Sequence, residues 1–139
     1  MVEKINGLSE AFKEAKQVFL TTYNKAGEPS TRPMTNYNHS PYESMWFASF
    51  LETNKVEDIK GNPEVIVSFP AEEVGKWYRV KGKAHLASWE EVQANWKWWY
   101  LEWVPSEERE KHAFFYDDPF TDRTIIWVKP YLFEIGDSK

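Results

Sequence analysis

Thr53, Asn54 and Lys55 are the residues whose types and spacing could do chemistry in this sequence. They follow the apolar, aromatic run Met45-Trp46-Phe47-Ala48-Ser49-Phe50-Leu51 and precede Val56, Ile59 and Lys60 at helical spacing, with Gly61-Asn62-Pro63 as a stop signal. The pattern predicts a buried strand running straight into a short helix with Thr53 at its N-cap. Lys55 then falls in the first turn, where unpaired amides and the macrodipole already make the field positive. A cation is unfavourable there unless an anion shares the place. The Thr53 hydroxyl, the first-turn amides and the Lys55 ammonium could converge on one phosphate. The competing reading is a surface lysine pointing into water after a common type of cap.

A second cation is placed by alternation. Residues 28–38 read as an extended segment in which Ser30, Arg32, Met34 and Asn36 point one way and Thr31, Pro33, Thr35 and Tyr37 the other. Arg32 therefore shares a face with Met34. Pro33 cannot donate to a ladder, so the strand lies at an edge or is bulged there. A surface arginine beside an edge proline is the alternative.

The elements that must position these residues follow in order. Residues 8–17 place Leu8, Phe12 and Ala15 on one helical face, continued by Ile5. Residues 18–23 form a strand, and Asn24-Lys25-Ala26-Gly27 turns it back as a hairpin. Val65-Ile66-Val67-Ser68-Phe69 reads as a central strand covered on both faces. In the next strand Tyr78, Val80, Gly82, Ala84 and Leu86 alternate with Trp77, Arg79, Lys81, Lys83 and His85, and Gly82 and Ala84 suggest a bend or close approach on the inner side. Ser88-Trp89-Glu90-Glu91 is a capping box opening a helix that carries Val92, Trp96, Trp99 and Trp103 until Pro105. Residues 106–115 suggest a second short helix, Asp117-Asp118-Pro119-Phe120 a loop, and residues 124–135 a last strand broken at Pro130. Six antiparallel-leaning strands with helices at their margins make an α+β, mainly β chain, and hairpin-rich sheets of this size tend to curl into a barrel. Gly-rich phosphate loops and parallel crossover repeats are absent, which excludes Rossmann and P-loop readings.

Composition narrows the class. The chain has 139 residues, enough for one domain spanning 1–139 with a single core. It has no cysteine, which excludes thiol catalysis, disulfides and thiolate metal sites. A net charge of −5 argues against a nucleic-acid binder. Neither a secretory leader nor an apolar run of membrane-spanning length is evident, so the expected location is cytoplasmic, without membrane association. Aromatics make up 17% of the residues and eight are Trp, an excess suited to a ligand groove or a subunit interface. His39, His85 and His112 lack metal-ligand spacing, Asp117, Asp118 and Asp122 do not make a calcium loop, and no Ser-His-Asp order stands out. No metal site is expected.

Four features in order make the chain resemble the pyridoxamine 5′-phosphate oxidase-like flavin-binding split barrels, in particular their general-stress-protein branch. They are Phe19-Leu20-Thr21-Thr22; Arg32-Pro33-Met34; Met45-Trp46-Phe47-Ala48-Ser49 with Thr53-Asn54-Lys55-Val56; and Asn62-Pro63-Glu64-Val65 with Val80-Lys81-Gly82-Lys83-Ala84. The resemblance implies a six-stranded antiparallel split β-barrel with peripheral helices, the FMN-binding split barrel. It also implies a homodimer with one flavin mononucleotide (FMN) in each of two interface grooves. Carried over by position, Thr53, Asn54 and Lys55 would hold the phosphate and Arg32 would add charge to phosphate or ring. Pro33 and Met34 would face the isoalloxazine, Ala48 and Ser49 would approach from the neighbouring strand, and Trp77 would contact the ring. Asn54 stands where the family often has Arg or Ser, which lowers the positive charge of the pocket. The chain ends Phe133-Glu134-Ile135-Gly136-Asp137-Ser138-Lys139, without the basic, histidine-bearing tail of the true pyridoxamine phosphate oxidases, so that activity is not expected.

The function expected on this resemblance is an FMN-dependent oxidoreductase acting on a small, flat or apolar substrate. The ring would carry the redox chemistry and no side chain need be catalytic. The alternatives are a non-catalytic flavin-binding or flavin-sensing stress protein, and a haem- or deazaflavin-binding protein on the same scaffold, with His39 or His85 as haem ligands. The tryptophans would pack a core or dimer stripe, or form a lid over flavin or substrate.

Overall fold

The structure, a computed structural model, describes residues 5–50, 53–95 and 123–137. Its elements run α1 (Leu8–Glu14), β1 (Gln17–Tyr23), β2 (Pro29–Thr35), β3 (Met45–Phe50), α2 (Asn54–Gly61), β4 (Glu64–Pro70), β5 (Lys76–Leu86), α3 (Trp89–Asn95) and β6 (Arg123–Asp137). The six strands form one antiparallel sheet in the order β2-β1-β4-β5-β6-β3. The sheet curls into a nearly closed, mainly β barrel, and the two end strands, β2 and β3, face each other without pairing. That unpaired seam is the split of the split barrel.

Strict alternation builds the core. Val18, Leu20, Met34, Met45, Phe47, Val65, Val67, Phe69, Tyr78, Val80, Ala84, Ile126 and Val128 all turn inward into one cluster. Each is held by the period of two along its strand. The two helices plug opposite ends. Leu8 and Phe12 of α1 enter at the end of β4, where Phe12 meets Phe69 edge-on at 5.3 Å, and Val56 and Ile59 of α2 enter beside the end of β1. A smaller cluster on the outside of β3 gathers Trp46, Ala48, Phe50 and Trp127 under Val92 of α3 and Ala87.

Local chemistry explains most boundaries. Asn24 closes the β1–β2 hairpin by accepting the amides of Ala26 and Glu28, both at 2.9 Å, and Gly27 takes φ +82°. The capping box forms in both directions, Glu91 N–H to Ser88 Oγ at 3.2 Å and Ser88 N–H to Glu91 Oε1 at 3.0 Å. Helix α1 stops at Glu14 rather than reaching Gln17. The Asn36 amide donates at 3.0 Å to the carbonyls of both Phe12 and Ala15, and the chain turns extended at Ala15.

Other details of the sheet have equally local causes. Pro33 lies on the edge strand, and the β1–β2 register is unbroken around it, so no bulge is needed there. Strand β4 is central, with Val65, Val67 and Phe69 buried on the inner face and Ile66 on the outer face half-buried. Strand β6 is not broken at Pro130. It passes through a bulge in which Gly82 pairs with Pro130 and Lys81 with Leu132, leaving Tyr131 as the extra residue. Gly82 is required at this point, because a Cβ there would sit 2.6 Å from Val128 Cγ1 and 2.8 Å from the Lys129 carbonyl oxygen. The tryptophan stripe beyond Asn95, the helix expected over 106–115 and the loop at 117–120 lie outside the described residues.

Candidate functional site

The split itself forms a cavity of about 280 Å³, lined by Gln17, Pro33, Met34, Thr35, Ala48, Ser49, Phe50, Thr53 and Lys55. Both edge strands contribute both of their faces, with Pro33 and Thr35 outward and Met34 inward on β2, and Ala48 and Phe50 outward and Ser49 inward on β3. A clamp closes one end. Asn38 behaves as a piece of missing strand, accepting from Trp46 N–H at 2.9 Å and donating to the Trp46 carbonyl at 3.0 Å. Tyr37 stacks on Trp46 with ring centroids 5.6 Å apart. Beyond this clamp no strand among the described residues pairs with the free side of β3, and its edge opens onto the cavity.

At the other end stands the start of α2. Thr53 occupies the N-cap position with extended backbone, but its hydroxyl donates back to the Phe50 carbonyl at 3.2 Å instead of accepting a helix amide. The cap expected from sequence is therefore positional only. Among the described residues no side chain accepts from the first-turn amides of α2. Lys55 in that turn is half-buried, and among the described residues no acceptor pairs with its ammonium. Burial holds its pKa below the ordinary value, and the nearby Arg32 charge lowers it further.

Arg32 reaches this cation from the inner face of β2. Its Nη1 donates to Thr22 Oγ1 at 2.7 Å and to the Leu20 carbonyl at 3.4 Å. Thr22, fully buried, passes its own proton to Asp58 Oδ2 at 2.7 Å. Burial lowers the Arg32 pKa and the Asp58 carboxylate works against that. Two cations thus stand close together at one end of an apolar slot, with one carboxylate behind one of them.

The structure brings Pro33, Met34, Ala48, Ser49, Thr53 and Lys55 together around the cavity. Arg32 adjoins Lys55 electrically without lining the cavity. Asn54 is exposed at the start of α2 and does not line it. Trp77 stands elsewhere, on the outer face of β5 with its ring edge-on to Phe19 at 5.4 Å. Gln17, Thr35, Phe50, Thr22, Asp58 and Asn38 are not assigned to the site by the sequence. Asp58 had a usable signal, since it follows Lys55 by three residues and so shares its helix face. Asn38 had none, because a side chain standing in for a strand depends on contacts far along the chain. His39 and His85 are exposed and neither lines the cavity. Among the described residues no group of three or more His, Asp or Glu could hold a metal ion, and no helix is long and apolar enough to cross a membrane.

Comparison with known proteins places this geometry. The sequence profile described as pyridoxamine 5′-phosphate oxidase like matches residues 3–114. The general stress protein 26 of Bacillus anthracis shares the fold with a TM-score of 0.64 at 14% identity, over 93% of this chain and 90% of its own. An F420 reductase superposes with a TM-score of 0.64 at 21% identity, covering 94% of this chain and 98% of its own. A pyridoxamine 5′-phosphate oxidase-related, FMN-binding protein of Nostoc punctiforme gives 0.59 at 14% identity, over 88% and 74%. At these identities the structural likeness establishes the fold alone. No curated protein matches the chain in sequence. With the profile covering more than half of its length, the chain belongs to the pyridoxamine 5′-phosphate oxidase-like family.

Proposed function

We propose that the chain binds FMN in the split between β2 and β3 and serves as a flavin-dependent oxidoreductase for a small, flat or apolar substrate. The observation that carries this reading is Lys55 at the start of α2, where among the described residues neither its half-buried ammonium nor the first-turn amides have a side-chain acceptor. An anion there would relieve both the buried charge and the open amides, and a phosphate suits both donors. The slot beyond it is bounded by the apolar side chains of Pro33, Met34, Ala48 and Phe50, which suit the faces of a ring. Bound flavin supplies the electron transfer. The chain's part is to hold the phosphate with the amides that follow Thr53 and with Lys55 and Arg32, to flank the ring and to exclude water.

At about 280 Å³ the cavity lies just under the roughly 300–1,000 Å³ usual for ligand pockets. A second copy of the chain would complete it, and the outer sheet face offers Phe19, Ile66 and Trp77 half-buried, with Tyr131 and Leu132 exposed. We therefore place the site in a homodimer groove, where Trp77 of one copy is available to the ring bound by the other. The F420 reductase of the same fold makes a deazaflavin the competing occupant.

The test is the absorption spectrum of the purified protein, with titrations of FMN and of the deazaflavin in parallel. A flavin band at one FMN per chain supports the reading. A Soret band, tighter uptake of the deazaflavin, or no spectral and thermal response to micromolar FMN overturns it.

A further inference from the structure

Arg32 is held by a hydrogen-bond chain that runs in one direction only. A guanidinium donates and never accepts, so Thr22 Oγ1 must accept at 2.7 Å from Arg32 Nη1. The hydroxyl has one proton, and an ionised carboxylate only accepts, so that proton goes to Asp58 Oδ2 at 2.7 Å. Thr22 is fully buried, so water cannot readily replace either partner. Among the described residues the Arg32 Nε and Nη2 donors have no partner, while Nη1 is tied to the barrel wall. Asp58 stands three residues after Lys55 on α2. One short helix thus supplies both a cation at the slot and the anchor for the other cation.

We infer that Thr22 and Asp58 are positioning residues: they tether one edge of the Arg32 guanidinium to the barrel wall so that its remaining donors stay beside Lys55, turned to the ligand's anionic end. This rests on the phosphate reading of the slot.

The opposite expectation comes from charge alone. Asp58 is an anion close to the site, so removing its charge should tighten the binding of a phosphate if position were irrelevant. Four variants separate the two effects, with FMN and riboflavin as probes. Riboflavin lacks the phosphate. Thr22→Val keeps the shape and removes the relay, and FMN affinity should fall about tenfold while riboflavin changes by less than about twofold. Thr22→Ser should restore FMN binding. Asp58→Ala should weaken FMN as Thr22→Val does, whereas Asp58→Asn, which still accepts from Thr22, should leave it unchanged or tighter. Unchanged FMN affinity in Thr22→Val, equal losses for both probes, or tightening in Asp58→Ala as in Asp58→Asn overturns the inference.

A ligand-free measurement keeps the inference separate from the flavin reading. The Arg32 side-chain NMR signals of the protein alone should report slow guanidinium rotation in the wild type and fast rotation in Thr22→Val. If the wild type fails to bind FMN, the flavin proposal fails, and this rotation still decides the tether. Fast rotation in the wild type overturns it.

Discussion

The paired wall of the barrel and its split treat charge in opposite ways. Along β5 and β6, Lys76 meets Asp137 at 2.9 Å, Lys81 meets Glu134 at 3.4 Å, and Tyr78 donates to Glu72 at 2.9 Å. The Asp137 hydrogen bond raises the Lys76 pKa and the reciprocal bond lowers that of Asp137. In the split both cations are shifted the other way. Burial lowers Lys55 and Arg32, and Arg32 presses Lys55 lower still. Folding disposes of charge on the wall by pairing it at the surface, where it contributes little. In the split it retains positive charge against a desolvation cost. Such an imbalance is expected where an external anion completes the balance.

The contrast is broken most strongly from the wall side. Gly82→Ala places a Cβ against the Val128 methyl and the Lys129 carbonyl, and backbone cannot yield as a side chain does. It should cost about 3 kcal/mol of stability, read by chemical denaturation. Lys55→Met sharpens the contrast from the other side. FMN affinity should fall by roughly 1.5–3 kcal/mol, one to two decades, with riboflavin nearly unaffected. The ligand-free protein should become as stable as the wild type or more so.

The sign follows from proton linkage. The folded pKa of Lys55 lies below its ordinary 10.5, so between those two values the unfolded chain binds more protons and the residue's contribution to stability rises with pH. Lys55→Met should flatten that rise in denaturation curves taken across the alkaline range. Losses that are equal for FMN and riboflavin would return Lys55 to the role of a surface lysine.

Tyr78 is the wall's counterpart of a buried polar group. Burial first, then Glu72, pushes its pKa from 10.0 up to about 12. A raised folded pKa means stability that is fully present below pH 10 and lost as pH climbs through about 12. Tyr78→Phe should cost about 1 kcal/mol near neutrality through the lost bonds to Glu72 and Asn6, and should weaken the alkaline dependence. The smallest effect belongs to Lys76→Ala. Its bridge to Asp137 is exposed, and the melting temperature should not move measurably.

Much of this fold was legible because its signals are local. Alternation fixed which residues of β5 face inward, Asn24-Lys25-Ala26-Gly27 gave the hairpin, and Ser88 with Glu91 gave the start of α3. The strand-to-helix junction that puts Lys55 in the first turn of α2 was readable for the same reason. Each depends on residues a few positions apart, where sequence spacing and spatial distance coincide.

What only the tertiary structure decided depends on residues far apart in the chain. The sequence could place Pro33 on an edge strand but not say that the other edge, β3, would stand opposite it and leave a cavity between. The hydroxyl of Thr53 turned from the helix to Phe50, since a cap hydroxyl has more than one acceptor within reach. Gly82 gained its necessity from Val128 and Lys129 across the bulge. The link from Arg32 through Thr22 to Asp58 joins three elements separated by ten and thirty-six residues. Local propensity carries no information about which buried donor will meet which acceptor. That is settled when the sheet curls, because a buried polar group must then find its partner among the groups that curling brings near.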